Sequence, residues 1–269
     1  NGYDWEIVPA GDGQGNNIVT SGSTGAGVTN VTASGLTPNT EYDAFVRANC
    51  GGGDGESSYT APKTFVTCAP ILAPYVEDFD GTNWTAGTGF NNTDTPDAID
   101  ICWSRNPDSG DSNYFWGTRS GTTGSSNTGP DGDNTTGSDN YIYVESTNDI
   151  GTPSTFTSPF IDISGLTNPE LRFFFHRYGS TVGDLSIQID DGSGFTEVDN
   201  ITGQQQTASS EPFDERLVDL SGFSGNIQIR FEATKLVTSL STGDIAIDDF
   251  EVREAPPVKV YDSQPFDNT

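Results

Sequence analysis

The chain has no methionine, one histidine and three cysteines in 269 residues, and 11 Lys and Arg against 39 Asp and Glu. Each shortage excludes something. So few His and Cys residues form no cluster for zinc. A nucleophilic triad needs a base beside its nucleophile, and only His176, inside Phe173-Phe174-Phe175-His176, is on offer as an imidazole. The formal charge of −28 rules out nucleic acid as a partner, because the cations cannot neutralise a phosphate track that the carboxylates repel. Binding an anionic membrane by charge alone fails for the same reason. No apolar run approaches the roughly 20 residues a membrane helix needs, so membrane insertion is not expected. The missing Met implies that the chain begins after a cleavage or a cut, and a signal peptide would already be gone from a mature secreted chain.

What is present is turn and strand chemistry. Glycine numbers 32, Asn, Ser, Thr and Asp are abundant, and helix formers are scarce, so the fold class is all-β with many polar turns. The length allows one large or two ordinary domains. Gly243-Asp244-Ile245-Ala246-Ile247-Asp248-Asp249-Phe250-Glu251-Val252 reads as a strand interrupted by two adjacent carboxylates. Successive strand residues face opposite ways, so one of the pair is expected to point into the sandwich, where it needs a cation or several donors. No carboxylate pair on a strand suggests glycoside hydrolysis. Most acids lie at turns, where Asp suits the local backbone. His176 is expected to be a buried structural histidine. Residues 104–140 are loop-rich, yet Tyr114-Phe115-Trp116 within them should anchor an ordered loop. Sequons at Asn30, Asn83, Asn91, Asn134 and Asn200 are what so Asn- and Thr-rich a chain gives by chance.

Residues 1–67 resemble part of a fibronectin type III domain. The resemblance rests on Leu36-Thr37-Pro38-Asn39-Thr40-Glu41-Tyr42 followed by Ala44-Phe45-Val46-Arg47-Ala48. It implies a tyrosine corner, with the Tyr42 hydroxyl tied back to the backbone. Strands are expected at Tyr3–Val8, Asn17–Thr20, Val28–Ser34, Tyr42–Asn49 and Lys63–Thr67. The family's first two strands are missing, which should leave Val8, Val31, Phe45 and Val46 incompletely covered. Residues 68–75, with Pro70 and Pro74, read as a linker. The tail, 255–269, contains the alternating Val258-Lys259-Val260-Tyr261. It reads as the start of a further module or as a strand for a neighbour's sheet edge.

Residues 76–254 resemble the MAM family of extracellular jelly-roll modules. Four segments carry the likeness besides the last strand: Val76-Glu77-Asp78-Phe79-Asp80, Gly129-Pro130-Asp131-Gly132-Asp133-Asn134-Thr135-Thr136-Gly137 (with Asn134 where the family has His), Asn140-Tyr141-Ile142-Tyr143-Val144-Glu145, and Leu171-Arg172-Phe173-Phe174-Phe175-His176-Arg177-Tyr178-Gly179. The four cysteines of animal versions are not all present, so the bacterial, Bacteroidetes-like type is expected and animal homophilic adhesion is not carried over.

The resemblance implies a partial fibronectin III β-sandwich followed by a MAM-like jelly-roll β-sandwich, secreted or on a bacterial cell surface, with a non-catalytic role in adhesion or recognition. The expected partner is a polysaccharide or a cell-surface protein, with self-association through exposed strands as a further option. The alternatives are a structural repeat of a surface filament and an accessory domain of a secreted hydrolase. Calcium is the expected cofactor, held by Asp80 from the first strand, Asp133 or Asp131 from the Gly-Pro loop, and Asp249 or Asp248 from the last strand. Trp84, Tyr114 and Phe115 are candidates for stacking on sugar rings, whereas Trp103 and Trp116 are expected to pack. Similar bacterial modules favour a Cys68–Cys102 disulfide, with Cys50–Cys68 as its rival.

Overall fold

The computed structural model describes residues 2–51, 55–87, 97–107, 114–146, 153–236 and 240–257. The tail strand expected at Val258–Tyr261 and the sequon at Asn91 lie outside the described residues. The chain divides into two units, Asn1–Pro70 and Ile71–Thr269. Cys68 and Cys102 are disulfide-bonded, and Cys50 is free and exposed.

The first unit is an antiparallel sheet of β1 (Gly2–Pro9), β2 (Thr20–Ser23), β3 (Glu41–Asn49) and β4 (Lys63–Val66), in the order β2-β1-β3-β4. The Tyr42 hydroxyl accepts the Thr37 N–H at 3.0 Å, so the corner expected at that tyrosine is formed. Val28–Ser34 is not a strand: it has the β-branched composition but no neighbouring strand to pair with. The exposure expected of four apolar residues is found for two. Val31 and Val46 are 53% and 37% exposed, whereas Val8 and Phe45 are buried. Phe45 and Val46 follow each other on β3 and so face opposite sides.

The second unit is a sandwich of two sheets, and its longer strands Pro169–His176, Val182–Asp190 and Asn226–Lys235 alternate inward apolar residues with outward, mostly polar ones. One sheet runs β14 (Thr196–Thr202), β13 (Val182–Asp190), β16 (Asn226–Lys235), β10 (Ser154–Thr157), β7 (Ser104–Asn106), with β11 (Ile161–Asp162) joining β16 to β5 (Ile71–Leu72). The other runs β15 (Asp214–Asp219), β12 (Pro169–His176), β17 (Ile245–Glu254), β9 (Asn140–Val144), β8 (Trp116–Ser120), with β6 (Tyr75–Glu77) also paired to β17. Leu171, Phe173 and Phe175 of β12, Ile227, Ile229 and Phe231 of β16, and Ile245, Ile247, Phe250 and Val252 of β17 fill the space between. An aromatic group closes one side of this core, with Trp103 stacked on Phe156 at 4.8 Å and Phe79 edge-on to Trp84 at 4.9 Å.

β17 corrects the expectation that one of the two carboxylates points into the sandwich. Asp249 has φ +47°, and the β12–β17 register shifts between Arg172 and Phe174. The resulting bulge puts Ile247 and Phe250 both in the core. Asp248 and Asp249 are left outside it, under the loop that precedes β9. A second, smaller apolar cluster of Tyr141, Tyr143, Phe213 and Ala246 lies on that outer face.

Candidate functional site

The segment 129–140 is held by its own acid. Asp133 takes N–H bonds from Thr135 (2.9 Å), Thr136 (2.8 Å) and Asp139 (2.9 Å), and the Thr136 hydroxyl at 3.3 Å. Gly132 permits the closure, since a Cβ there would lie 2.3 Å from the Gly137 carbonyl oxygen. Burial works to raise the Asp133 carboxyl, but the donors of Thr136, Asp139 and Thr135 hold it below the usual range.

This loop is fastened to β17 through Asn134. Its backbone N–H donates to Asp248 Oδ2 at 2.8 Å and its Nδ2 to Asp249 Oδ2 at 2.7 Å. Thr135 Oγ1 donates to Asp249 Oδ2 at 3.1 Å. The other oxygen of Asp248 accepts the Asp249 N–H at 2.8 Å. Asp80, after β6, accepts the Asn140 N–H at 2.7 Å, while Asn140 Nδ2 returns to the Phe79 carbonyl at 3.1 Å. The three segments named from the sequence therefore do meet around one loop, joined by N–H and O–H donors.

Their electrostatics differ. Asp248 is only 2% exposed. Burial, then the charges of Asp249 and Asp133, push its carboxyl up to about 8 against the opposing N–H bonds. Burial and the neighbouring Asp78, Asp139 and Asp133 raise Asp80. Asp131 does not join the group: its side chain is exposed, and its backbone N–H donates to the Ser209 carbonyl at 3.0 Å. Among the described residues no three or more His, Cys, Asp or Glu side chains stand in an arrangement that could hold a metal ion.

That Asp131–Ser209 bond bridges two walls of a polar cleft of about 240 Å³. Asp131, Asp133 and Asn134 line one wall, and Ser209, Glu211 and Phe213 the other. Glu211 is anchored by the Thr207 hydroxyl, which donates to its Oε1 at 2.7 Å. Gln206 accepts the Arg177 N–H at 2.7 Å and donates to Asp214 at 3.0 Å, fixing the base of that wall. None of the described residues lining the cleft is Lys or Arg.

Beneath the Phe213 ring, at 5.4 Å, lies His176. It is fully buried, and neither ring nitrogen has a hydrogen-bond partner. The Ala208 and Glu211 backbone faces the ring without reaching hydrogen-bond geometry. Burial pushes its pKa down to about 4, against smaller upward pulls from the Ala208 backbone and the carboxylates of Asp131 and Glu211. A buried, neutral histidine with no substrate access cannot serve as a general base.

The aromatic candidates are corrected by their burial. Trp84 is 5% exposed and Tyr114 fully buried. Trp84 packs on Phe79, Trp103 and Phe156, so neither ring can stack on a sugar. The apolar drive that fills the core claims large rings even from segments that read as loops. Phe115 is half-buried with the Arg105 guanidinium 5.2 Å from its ring centre, so a cation already holds one face. Trp103 and Trp116 are packing residues. The wall from Ser209 to Phe213 carries no sequence motif. The only local hint is a run of short polar residues ending at Pro212.

A sequence model of the family described as MAM domain, meprin/A5/mu, matches residues 94–256. Human MAM domain-containing protein 2 is 33% identical over 150 residues, 55% of this chain and 21% of that protein. Zebrafish Neuropilin-1a is 29% identical over 202 residues, 64% of this chain and 20% of that protein. The chain thus spans about a fifth of the length of these relatives. Among solved structures, the K1 cleaved adhesin domain of Lys-gingipain from Porphyromonas gingivalis aligns at 16% identity and a TM-score of 0.41, over 68% of this chain and 99% of that one. TmCBM61 in complex with β-1,4-galactotriose aligns at 13% identity and a TM-score of 0.37, over 57% and 88%.

Proposed function

Because the chain belongs to the MAM family, we propose that it is a non-catalytic recognition module of an extracellular protein, and that its partner is a polysaccharide engaged at the Asp131–Phe213 cleft. The cleft carries the reading. It is concave, held open by hydrogen bonds on both walls, and offers carboxylate, amide and hydroxyl groups beside one aromatic edge, the mix that fixes a hydroxyl-rich ligand. Its acids, unbalanced by Lys or Arg, select neutral saccharides over uronates and sulfates, since an anion there would meet like charge at low dielectric. The disulfide supports an oxidising, extracellular setting. The Tyr42 corner supports reading residues 1–67 as fibronectin III-like. The bacterial surface setting belongs to the same proposal.

A panel of neutral and acidic oligosaccharides tests it. A neutral member should bind, and Asp131→Ala, a change to an exposed side chain, should weaken that binding about tenfold, the size of one lost hydrogen bond to a charged group. No saccharide binding, or binding that Asp131→Ala leaves untouched, would sink the cleft as the site.

We also propose calcium as the bound cation. The donor set is all oxygen, as calcium requires, and the buried Asp248 has two N–H donors but no cationic side chain among its hydrogen-bond partners. Since no three of the described acids now stand in an arrangement that holds an ion, binding would require the Asn134, Thr135 and Asn140 donors to give way and let Asp80, Asp248 and Asp249 close on it. Asp133 is committed to four donors of its own loop and Asp131 is solvent-facing, so neither is counted among the ligands. Calcium should raise the melting temperature of stripped protein by mass action, and Asp248→Asn should remove most of that increment. An unchanged melting curve after addition of calcium to fully stripped protein would exclude the ion.

A further inference from the structure

The outer edge of β2 is open. β2 ends its sheet, and among the described residues no strand pairs with that edge. Its register on β1 sets Asp4 opposite Ser23, Trp5 opposite Gly22 and Glu6 opposite Ser21. Just beyond that ladder, the Thr24 N–H donates to the Tyr3 carbonyl at 2.8 Å. Bonded residues alternate in an antiparallel pair, so Gly22 and Thr24 turn their backbone groups toward β1. Ser21 and Ser23, both exposed, turn theirs outward. Natural sheet edges are guarded by charge or by proline. The opposite edge strand, β4, opens on Pro62-Lys63, whereas Thr20-Ser21-Gly22-Ser23 carries neither guard.

The two faces beside this edge differ in chemistry. On the face of Ser21 and Ser23 lies a polar hollow of about 390 Å³, with Asp4, Glu6, Arg47, Glu56 and Tyr59 in its lining. Asp4 accepts Ser23 Oγ at 2.7 Å, Arg47 Nε at 3.0 Å and Asn49 Nδ2 at 3.2 Å. Arg47 also pairs with Glu56 Oε2 at 2.5 Å and lies 4.8 Å from the centre of the Tyr59 ring. Three carboxylates against one guanidinium leave the lining negative. Glu56, itself exposed, keeps Oε1 for an incoming cation. On the other face Trp5 reaches over Gly22, where a Cβ would lie 2.9 Å from the indole. That ring walls an apolar hollow of about 250 Å³ together with Tyr3, Val28, Val31 and Val46.

We propose that β2 is a docking edge for a protein partner, in which an extended peptide with alternating basic and apolar side chains pairs as a fifth strand. Backbone bonds to Ser21 and Ser23 supply affinity, and the two hollows read alternate side chains. A residue opposite Ser21 or Ser23 shares their face, so its ammonium passes over two small serines toward Glu56. Its neighbours in the peptide point the other way, where Gly22 leaves the edge of Trp5 uncovered for an apolar side chain. The charge of −28 on the whole chain favours a basic segment over an acidic one. This edge belongs to the first unit and does not rest on the saccharide cleft of the second.

The probe is a blocked hexapeptide of alternating Lys and Val, titrated into the whole chain by calorimetry, with amide hydrogen exchange as a second readout. It should bind, and saturation should slow exchange at the Ser21 and Ser23 amides. A Glu and Val hexapeptide should bind about tenfold more weakly, as one lost charge-assisted contact implies. A Lys and Val hexapeptide N-methylated at every residue keeps the charge and loses the N–H donors, and should also bind more weakly. Ser21→Pro removes one outward N–H and no bond within the sheet, so it should weaken binding while keeping the melting temperature. Equal binding of the N-methylated peptide would reduce the effect to attraction by net charge and overturn the proposal. No binding of the Lys and Val peptide overturns it too, as does unchanged exchange at Ser21 and Ser23 on saturation. Self-association that Ser21→Pro abolishes, without peptide binding, overturns it in favour of a second copy of the chain at this edge.

Discussion

At the scale of single residues, His176 makes the acid limb of stability readable. Its folded pKa of about 4 lies below the ordinary 6.5, so the unfolded chain takes up the proton first as pH falls. Its contribution is therefore complete above 6.5 and lost between 6.5 and 4, a total of about 3 kcal/mol at 1.36 kcal/mol per unit. Asp248 runs the other way. Its carboxyl stays protonated in the fold up to about 8 while an unfolded Asp ionises near 3.8, so its contribution is full at low pH and is lost as pH rises toward 8. The two slopes oppose each other in the wild type, and only a variant separates them. His176→Phe, which keeps an aromatic ring against Phe213, should lose less melting temperature between pH 7 and pH 4.5 than the wild type does. Equal losses in thermal melts would mean that His176 takes its proton in the folded state at an ordinary pH.

At the scale of elements, the bulge in β17 decides which side of the sheet carries the chemistry. With strict alternation, one carboxylate of the Asp248–Asp249 pair would face Phe231 and Phe173 in the core, and no donor is there. The extra residue restores Phe250 to the interior and hands both acids to the loop. Deleting Asp249 removes the extra residue and leaves Ile247, Asp248 and Phe250 in regular alternation opposite Arg172–Phe174, so the core faces are kept. What is lost is the hold on the loop by Asn134 Nδ2 and Thr135 Oγ1. We expect the deletion to keep a cooperative transition by circular dichroism, at a lower melting temperature and with faster amide exchange at residues 134–136. Loss of the cooperative transition would show that the bulge itself is needed by the sheet. The bulge also marks the limit of what the sequence disclosed. Alternation in Ile245–Val252 and in Leu171–Phe175 identified strands and inward faces, because apolar side chains at period two have only one side to bury. It could not show that Asp249 would take φ +47°, because only the pairing with β12 requires that conformation.

At the scale of the whole molecule, the class of fold was legible from composition and from a few spaced motifs, while the cleft was not. The Gly-Pro loop, the acids after β6 and the end of β17 do meet in the structure, a convergence that the family resemblance implied and local sequence did not. The opposite wall at Ser209–Phe213 has no such mark. Its position follows from packing of Phe213 on Tyr141 and His176, a contact between segments that no local pattern links. The aromatic candidates failed for a related reason: Trp84 and Tyr114 sit in turn-rich sequence, and only the finished core shows that their rings are needed inside.

The disulfide closes a covalent ring over residues 69–101, and this bears on how the chain carries load. A pull arriving from residue 67 crosses the sulfurs to residue 102 and bypasses β5, β6 and Asp80. With the bond reduced, the same pull reaches β5 and then β6. β6 lies antiparallel to β17 with Tyr75 beside Val252, so its few rungs would break singly and in order, as a zip opens, and not all together in shear. Asp80 hangs from that strand and would leave Asn140 with it. In oxidising surroundings the acid cluster is thus shielded from tension, and under reduction it comes under load as soon as β5 and β6 have parted from their partners.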